Sequence, residues 1–344
     1  MSLSPTEPGA GAPAAAAAGT DTAPGAPGAP GGTVPGPGGR TSDATPTGGL
    51  PYGLGAYLMW GAFPLYFRLL EEAGAVEIVA HRAAWSLVFC LGLLAVTGAL
   101  RTLRPVLRSG RTLAVLSLGA ALVAANWLVY VYGVNTGRTV DAALGYFINP
   151  LVTVLLAVVV LGERLRPMQW VATGVGGAAV VVIAVGYGKL PWISLTLAAT
   201  FGLYSLVKNR VGRTVGALAG LTVETAALFP VAVAYLVVLG ATGAGVVGVA
   251  GADPGLTALL VASGPLTAVP LLLFGAAARR LPLSVIGMLQ YLTPALQLAV
   301  GVAVFHEPMP PERWAGFALV WAAIVVLSVD GARAERTRRR LVRA

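Results

Sequence analysis

The sequence predicts an all-α integral membrane protein, with ten transmembrane helices arranged as two inverted five-helix repeats. Three observations carry that expectation. The 344-residue chain is 56% apolar and only 11% charged, with a mean hydropathy of +0.79, whereas soluble domains run near about 45–50% apolar and about 25% charged. Its apolar residues fall into ten runs of bilayer-spanning length. Two stretches also share uncommon residues at a constant spacing of 144 positions. Length alone would allow two soluble domains, but so few charges cannot cover so much apolar surface. The single cysteine, Cys90, excludes an internal disulfide framework, and no Cys/His cluster has metal-ligand spacing. Two histidines and fourteen acids leave little material for hydrolytic chemistry. No cofactor or metal is expected.

Residues 1–49 are Gly, Ala or Pro at 32 of 49 positions and contain no hydrophobic run. Such a segment cannot offset its ordering entropy, so a disordered cytoplasmic tail is expected. It lacks the basic n-region and apolar h-region of a cleavable signal peptide. Beyond it, a bilayer core requires about 20 apolar residues per helix. The candidate spans are approximately 51–70, 76–98, 112–132, 139–161, 168–187, 190–207, 216–239, 257–277, 282–304 and 312–330. None alternates apolar and polar residues as a barrel strand would. The first five form a repeat over 50–187 and the rest a second over 188–331. Residues 332–344 form a basic tail with six arginines and one acid, expected against anionic lipid. A nucleic-acid arm is the competing reading of such a tail and ranks far lower on a membrane protein.

Basic residues set the orientation. The connections after even-numbered spans hold eleven: Arg101, Arg104, Arg108, Arg111, Arg164, Arg166, Lys208, Arg210, Arg213, Arg279 and Arg280. Those after odd-numbered spans hold four: Arg68, Arg138, Lys189 and Arg313. The richer side is expected to be cytoplasmic, which puts both termini inside the cell and the chain in the plasma membrane. At the 144 spacing, Pro150 falls on Pro294, Glu163 on Glu307, Pro167 on Pro311 and Trp170 on Trp314. Spans 2 and 7 align at 143, which sets Glu224 opposite His81. Five spans per half is odd, so the halves must be inverted, a common build of secondary transporters with the site near the midplane.

Several stretches resemble a known family. Ala56-Tyr57-Leu58-Met59-Trp60-Gly61, Phe63-Pro64-Leu65-Tyr66-Phe67 and Ala80-His81-Arg82 with Trp85 are similar to segments of RarD proteins. So are Gly145-Tyr146-Phe147-Ile148-Asn149-Pro150 and Leu161-Gly162-Glu163-Arg164-Leu165. These proteins are EamA-type permeases of the drug/metabolite transporter superfamily, and the likeness runs from about residue 50 to 330. The resemblance implies a ten-helix inner-membrane permease, with a family name linked to chloramphenicol sensitivity.

Ionisable residues inside a span cost about 2.5–3.5 kcal/mol at a helix centre and face the bundle interior. His81 and Glu224 are the candidate gating or coupling pair, with Glu224 about 12 Å into its span at 1.5 Å per residue; structural pairing is the bland alternative. Arg82 is expected to snorkel to the outer surface. Pro150 and Pro294 are expected to interrupt spans 4 and 9 at matched positions, each freeing a carbonyl one turn earlier. Beside them stand Tyr146, Asn149 and Thr153, and Gln290, Thr293 and Gln297, each trio on one helix face. These six are the candidate substrate-binding residues, and Trp60, Asn126, Trp127 and Tyr130 are the residues that could complete the walls with aromatic faces and one amide. Helix–helix hydrogen bonding, worth roughly 0.6 kcal/mol per contact, is the competing reading. Glu163 and Glu307 are expected to shape loops and pair with Arg164 or Arg313.

The expected function is secondary transport of a small organic metabolite or drug-like molecule by alternating access. No Walker-type phosphate loop occurs, so nucleotide hydrolysis is not the expected drive. A membrane-embedded enzyme would need a convergent catalytic constellation, and His81, Glu224 and Asp141 are dispersed; no catalytic residue is assigned. A channel would want a ring of like groups or a filter loop, which is not found. Expected partners are the substrate, membrane lipids and protons as candidate coupling ion; a homodimer is allowed and nucleic acid is not expected.

Overall fold

The computed structural model describes residues 48–343 apart from Glu163, 212–213, 247–252, Arg279 and Pro282. The expected tail therefore lies, except for its last two residues, outside the described residues. The helices are α1 (Leu50–Arg68), α2 (Gly74–Val96), a short α3 (Leu103–Leu107), α4 (Gly110–Asn135), α5 (Thr139–Leu161) and α6 (Pro167–Tyr187). They continue as α7 (Trp192–Val211), α8 (Ala217–Thr242), α9 (Pro254–Ala278), α10 (Leu283–Leu289), α11 (Leu292–Ala299) and α12 (Pro311–Arg343). No strand occurs among the described residues. Seven helices there are long and apolar enough to cross a membrane, and two shorter apolar helices cover Trp192–Lys208 and Leu292–Val304.

Local chemistry explains most boundaries. Pro167 and Pro311 each open a helix, α6 and α12, where the missing N–H has no intrahelical partner to lose. Ser109 accepts a hydrogen bond from Thr112 N at the start of α4, and Asp253 accepts from Gly255 N and Leu256 N at the start of α9. Gly188 and Gly243 close α6 and α8 in the left-handed region.

The two marked prolines behave differently. Pro150 sits inside an unbroken α5. Span 9 is divided: α10 stops at Leu289, α11 begins at Leu292, and a π turn follows over Val300–Val304. Pro294 is the third residue of α11, in the first turn, where helical N–H groups lack partners anyway. The break therefore precedes the proline. At the other end, α12 continues to Arg343, so the basic segment extends the last helix, as its helix-favouring Ala, Arg and Glu allow.

Helix α2 packs on α8 and α9, α4 on α7 and α8, and α5 on α7 and α11. Helix α1 packs on α9 and α11, and α6 lies along α12. One buried cluster gathers Phe67, Ile78, Val131, Ile193 and Leu260 from α1, α2, α4, α7 and α9. Another joins Leu144, Phe147, Ile183, Leu298 and Phe317 from α5, α6, α11 and α12. Gly145 lets α5 approach α7 so closely that a Cβ there would stand 2.8 Å from the Ser194 carbonyl oxygen. Val96, Val159, Val185, Val231 and Met288 are exposed, the outward apolar surface that lipid covers.

Candidate functional site

The site is built around Arg82, the ninth residue of α2. Only 4% of it is exposed. Its guanidinium lies 4.1 Å from the Trp127 ring centroid, 5.3 Å from Phe67 and 5.4 Å from Phe63, within cation–π range. Arg82 Nε donates to Thr267 Oγ1 at 2.7 Å. The expected snorkelling does not occur. Three aromatic faces from α1 and α4 hold the cation inside, where a desolvated cation–π contact is worth about 2 kcal/mol.

Tyr66, Tyr130 and Tyr146 lie within electrostatic reach of this guanidinium. Tyr146 donates from its hydroxyl to Asn126 Oδ1 at 3.0 Å. Asn126 Nδ2 in turn donates to Leu197 O at 3.1 Å and Thr200 Oγ1 at 3.0 Å, so the amide joins α4, α5 and α7. The Tyr130 ring lies 5.7 Å from Tyr146, and its hydroxyl faces Gln297. Gln297 Nε2 donates to Trp60 O at 3.2 Å, and Thr293 Oγ1 to Tyr57 O at 3.0 Å. Thr293 and Gln297 thus anchor α11 on α1. Trp60 packs edge-on against Tyr57 and beside Phe274.

The structure therefore brings Tyr146, Asn126, Gln297 and Trp60 around the Tyr130–Arg82 centre. Asn149 is half-buried beside Gly202 of α7, with its Oδ1 unpaired among the described residues. Thr153 and Gln290 are exposed, and the Thr153 hydroxyl returns to Asn149 O on its own helix. His81 is buried, with neither ring nitrogen hydrogen-bonded among the described residues. Glu224 is fully buried and meets Lys208 Nζ at 2.5 Å and the Tyr204 hydroxyl at 3.3 Å. Aromatic contacts run from Tyr146 through Phe201 to Tyr204, linking the arginine centre to this pair.

A separate network sits at the start of α5. Glu307 accepts from Thr139 N at 2.6 Å and Val140 N at 2.8 Å, setting a carboxylate on the positive end of a helix. Asp141 bridges Arg138 and Arg313, each at 3.0 Å. Arg138, Asp141, Lys189 and Arg313 line a cleft of about 340 Å³. Glu163 lies outside the described residues.

Sequence reasoning missed Lys208, Tyr204, Phe201, Phe274 and Thr267. For the three aromatic residues a usable signal was present. The 144 spacing that aligns the prolines also sets Tyr57 on Phe201, Trp60 on Tyr204 and Tyr130 on Phe274.

Comparison with known proteins adds the family. The EamA-like transporter family model matches residues 47–185. Protein RarD of Streptomyces exfoliatus is 51% identical over 85% of this chain and 92% of its own length. This chain belongs to the RarD family of EamA-type permeases. The uncharacterized transporter YojE of Bacillus subtilis (strain 168) is 40% identical over 84% of the chain and 96% of its own length. A protein of known crystal structure shares the fold, with a TM-score of 0.53 over 82% of this chain and 97% of that one at 19% identity. RarD-family membership, with the apolar helices, makes the chain a multi-pass membrane transporter.

Proposed function

We propose that this RarD-family protein is a secondary carrier that moves a small organic molecule by alternating access between two inverted five-helix halves. The carrying observation is the helix pairing. Exchange the first five spans for the last five and α1–α11 becomes α7–α5, while α1–α9 becomes α7–α4. Likewise α2–α9 becomes α8–α4, and α2–α8, α5–α11 and α6–α12 map onto themselves. A side-chain detail supports the same relation. Leu197 packs on Gly145, and Leu289 packs on Gly53, the same contact with glycine and leucine exchanged between halves. Inverted halves that can rock against each other are a transporter's device, with the substrate between them. The centre around Tyr146, Asn126, Gln297 and Trp60 draws on helices of both halves, which suits that role.

Proteoliposome flux tests the reading. Saturable counterflow of one member of a panel of amino acids and amphipathic drugs is expected, whereas chemical conversion of a solute would make the chain an enzyme and non-saturating flux a channel. Glu224 is the proposed coupling group. Its protonation would release Lys208, so a proton taken from one side can alter the α7–α8 contact. Glu224→Gln should abolish pH-gradient-driven accumulation and leave exchange at equal pH. Accumulation that survives the substitution assigns coupling elsewhere.

A further inference from the structure

We infer that Arg82 is the docking point for a carboxylate, and that the transported solute is a small organic acid with an apolar or aromatic body. This rests on the carrier reading and narrows its substrate class. A buried guanidinium is costly in a bilayer unless something neutralises it, and no carboxylate among the described residues pairs with Arg82. The buried acids among the described residues are Glu77, Asp141, Glu224 and Glu307. Glu77 binds the Val246 N–H, Asp141 pairs with Arg138 and Arg313, Glu224 with Lys208, and Glu307 caps α5.

Arg82 retains unused donors. Only its Nε has a hydrogen-bond acceptor among the described residues, Thr267 Oγ1. The remaining fork of N–H groups suits a planar carboxylate, which accepts two parallel bonds. The tyrosines around it are spent or neutral: Tyr66 donates to the Leu259 carbonyl and Tyr146 to Asn126. Their dipoles temper the charge without cancelling it. Trp127, Phe63 and Phe67 hold the guanidinium plane in place, so its orientation is set before a ligand arrives. The same rings, with Tyr130 and Tyr146, offer apolar walls to the rest of the molecule.

The test uses the purified full chain and three probes of nearly equal shape: 3-phenylpropionate, its neutral primary amide, and 3-phenylpropylamine. Binding is read from thermal shift in detergent and from tryptophan fluorescence. The carboxylate should bind at least about tenfold more tightly than the amide, since the amide gives up the charge-assisted pair with the guanidinium, and the amine should not bind. Equal binding of acid and amide, binding of the amine alone, or no binding of the acid overturns the inference without using any variant. Sodium phosphate or chloride acting as strongly as the acid also overturns it, because the solute would then need no organic body. In variants shown folded by size exclusion, Arg82→Gln should lose the preference for the acid. Arg82→Lys should weaken it, since an ammonium lacks the planar fork, and unchanged preference in both variants rejects the assignment. Acid binding without saturable flux would leave the arginine site standing and remove the carrier reading; flux of neutral solutes unaltered in Arg82→Gln would do the reverse.

Discussion

His306 carries the sequence match at 144 positions into the backbone. It is the only described non-glycine residue at positive φ, +53°, and it stands 144 positions after Gly162, whose φ is +68°. The same left-handed turn ends both segments, but one uses glycine and the other tolerates a side chain. The left-handed region costs an L-residue roughly 1–2 kcal/mol. His306→Gly should therefore hold or raise the melting temperature, and His306→Val should lower it, as differential scanning fluorimetry in detergent can show. Glu307, its neighbour, makes the opposite case. Removing its carboxylate strands the Thr139 and Val140 N–H groups, at about 1–3 kcal/mol for each buried donor left unsatisfied. Glu307→Ala should destabilise by several kcal/mol and Glu307→Gln by less, because the amide oxygen still accepts. Equal loss in both would place the effect in the charge rather than the hydrogen bonds. The sequence marked Glu307 through its match to Glu163, but the acceptor's target lies 168 residues away, where no periodicity can point. Arg82 failed for a related reason. Distance along a helix measures depth in the membrane, yet the rings that enclose the cation come from two other helices.

At the scale of elements, run length and turn residues located the helices well, because apolar length and Pro or Gly punctuation are properties of contiguous sequence. Span 9 was harder, since Leu283–Val304 reads as one apolar run while folding as two helices and a π turn. The contact of α5 with α7 gives the sharper test of packing. Gly145→Val would force a branched side chain into the Ser194 carbonyl, and overpacking of that kind costs about 1–3 kcal/mol. The melting temperature and flux should fall together. Gly177 on α6 is the control, since a Cβ there meets nothing within 4 Å. Gly177→Ala should be neutral or gain about 0.5–1 kcal/mol from helix propensity, and a loss comparable to that of Gly145→Val would refute the packing account.

For the molecule as a whole, the arginine and lysine asymmetry predicts which side each connection faces. Single cysteines at the exposed positions 108 and 280 should react with an impermeant maleimide only from the cytoplasm, and one at 253 only from outside. External labelling at 108 would overturn the proposed inverted arrangement. The match at 144 positions was legible because proline, glutamate and tryptophan are scarce enough to align on; the helix neighbours were not, since packing joins residues by shape and leaves no signature in spacing. Glu307 holds the first turn of α5, but it is made 168 residues after Thr139. At about 5–20 residues per second, the ribosome takes on the order of ten to thirty seconds to deliver it. Throughout that interval the newborn α5 stands in the membrane with the head of its helix unlatched, and the early part of the chain must wait for its own far end before it can lock.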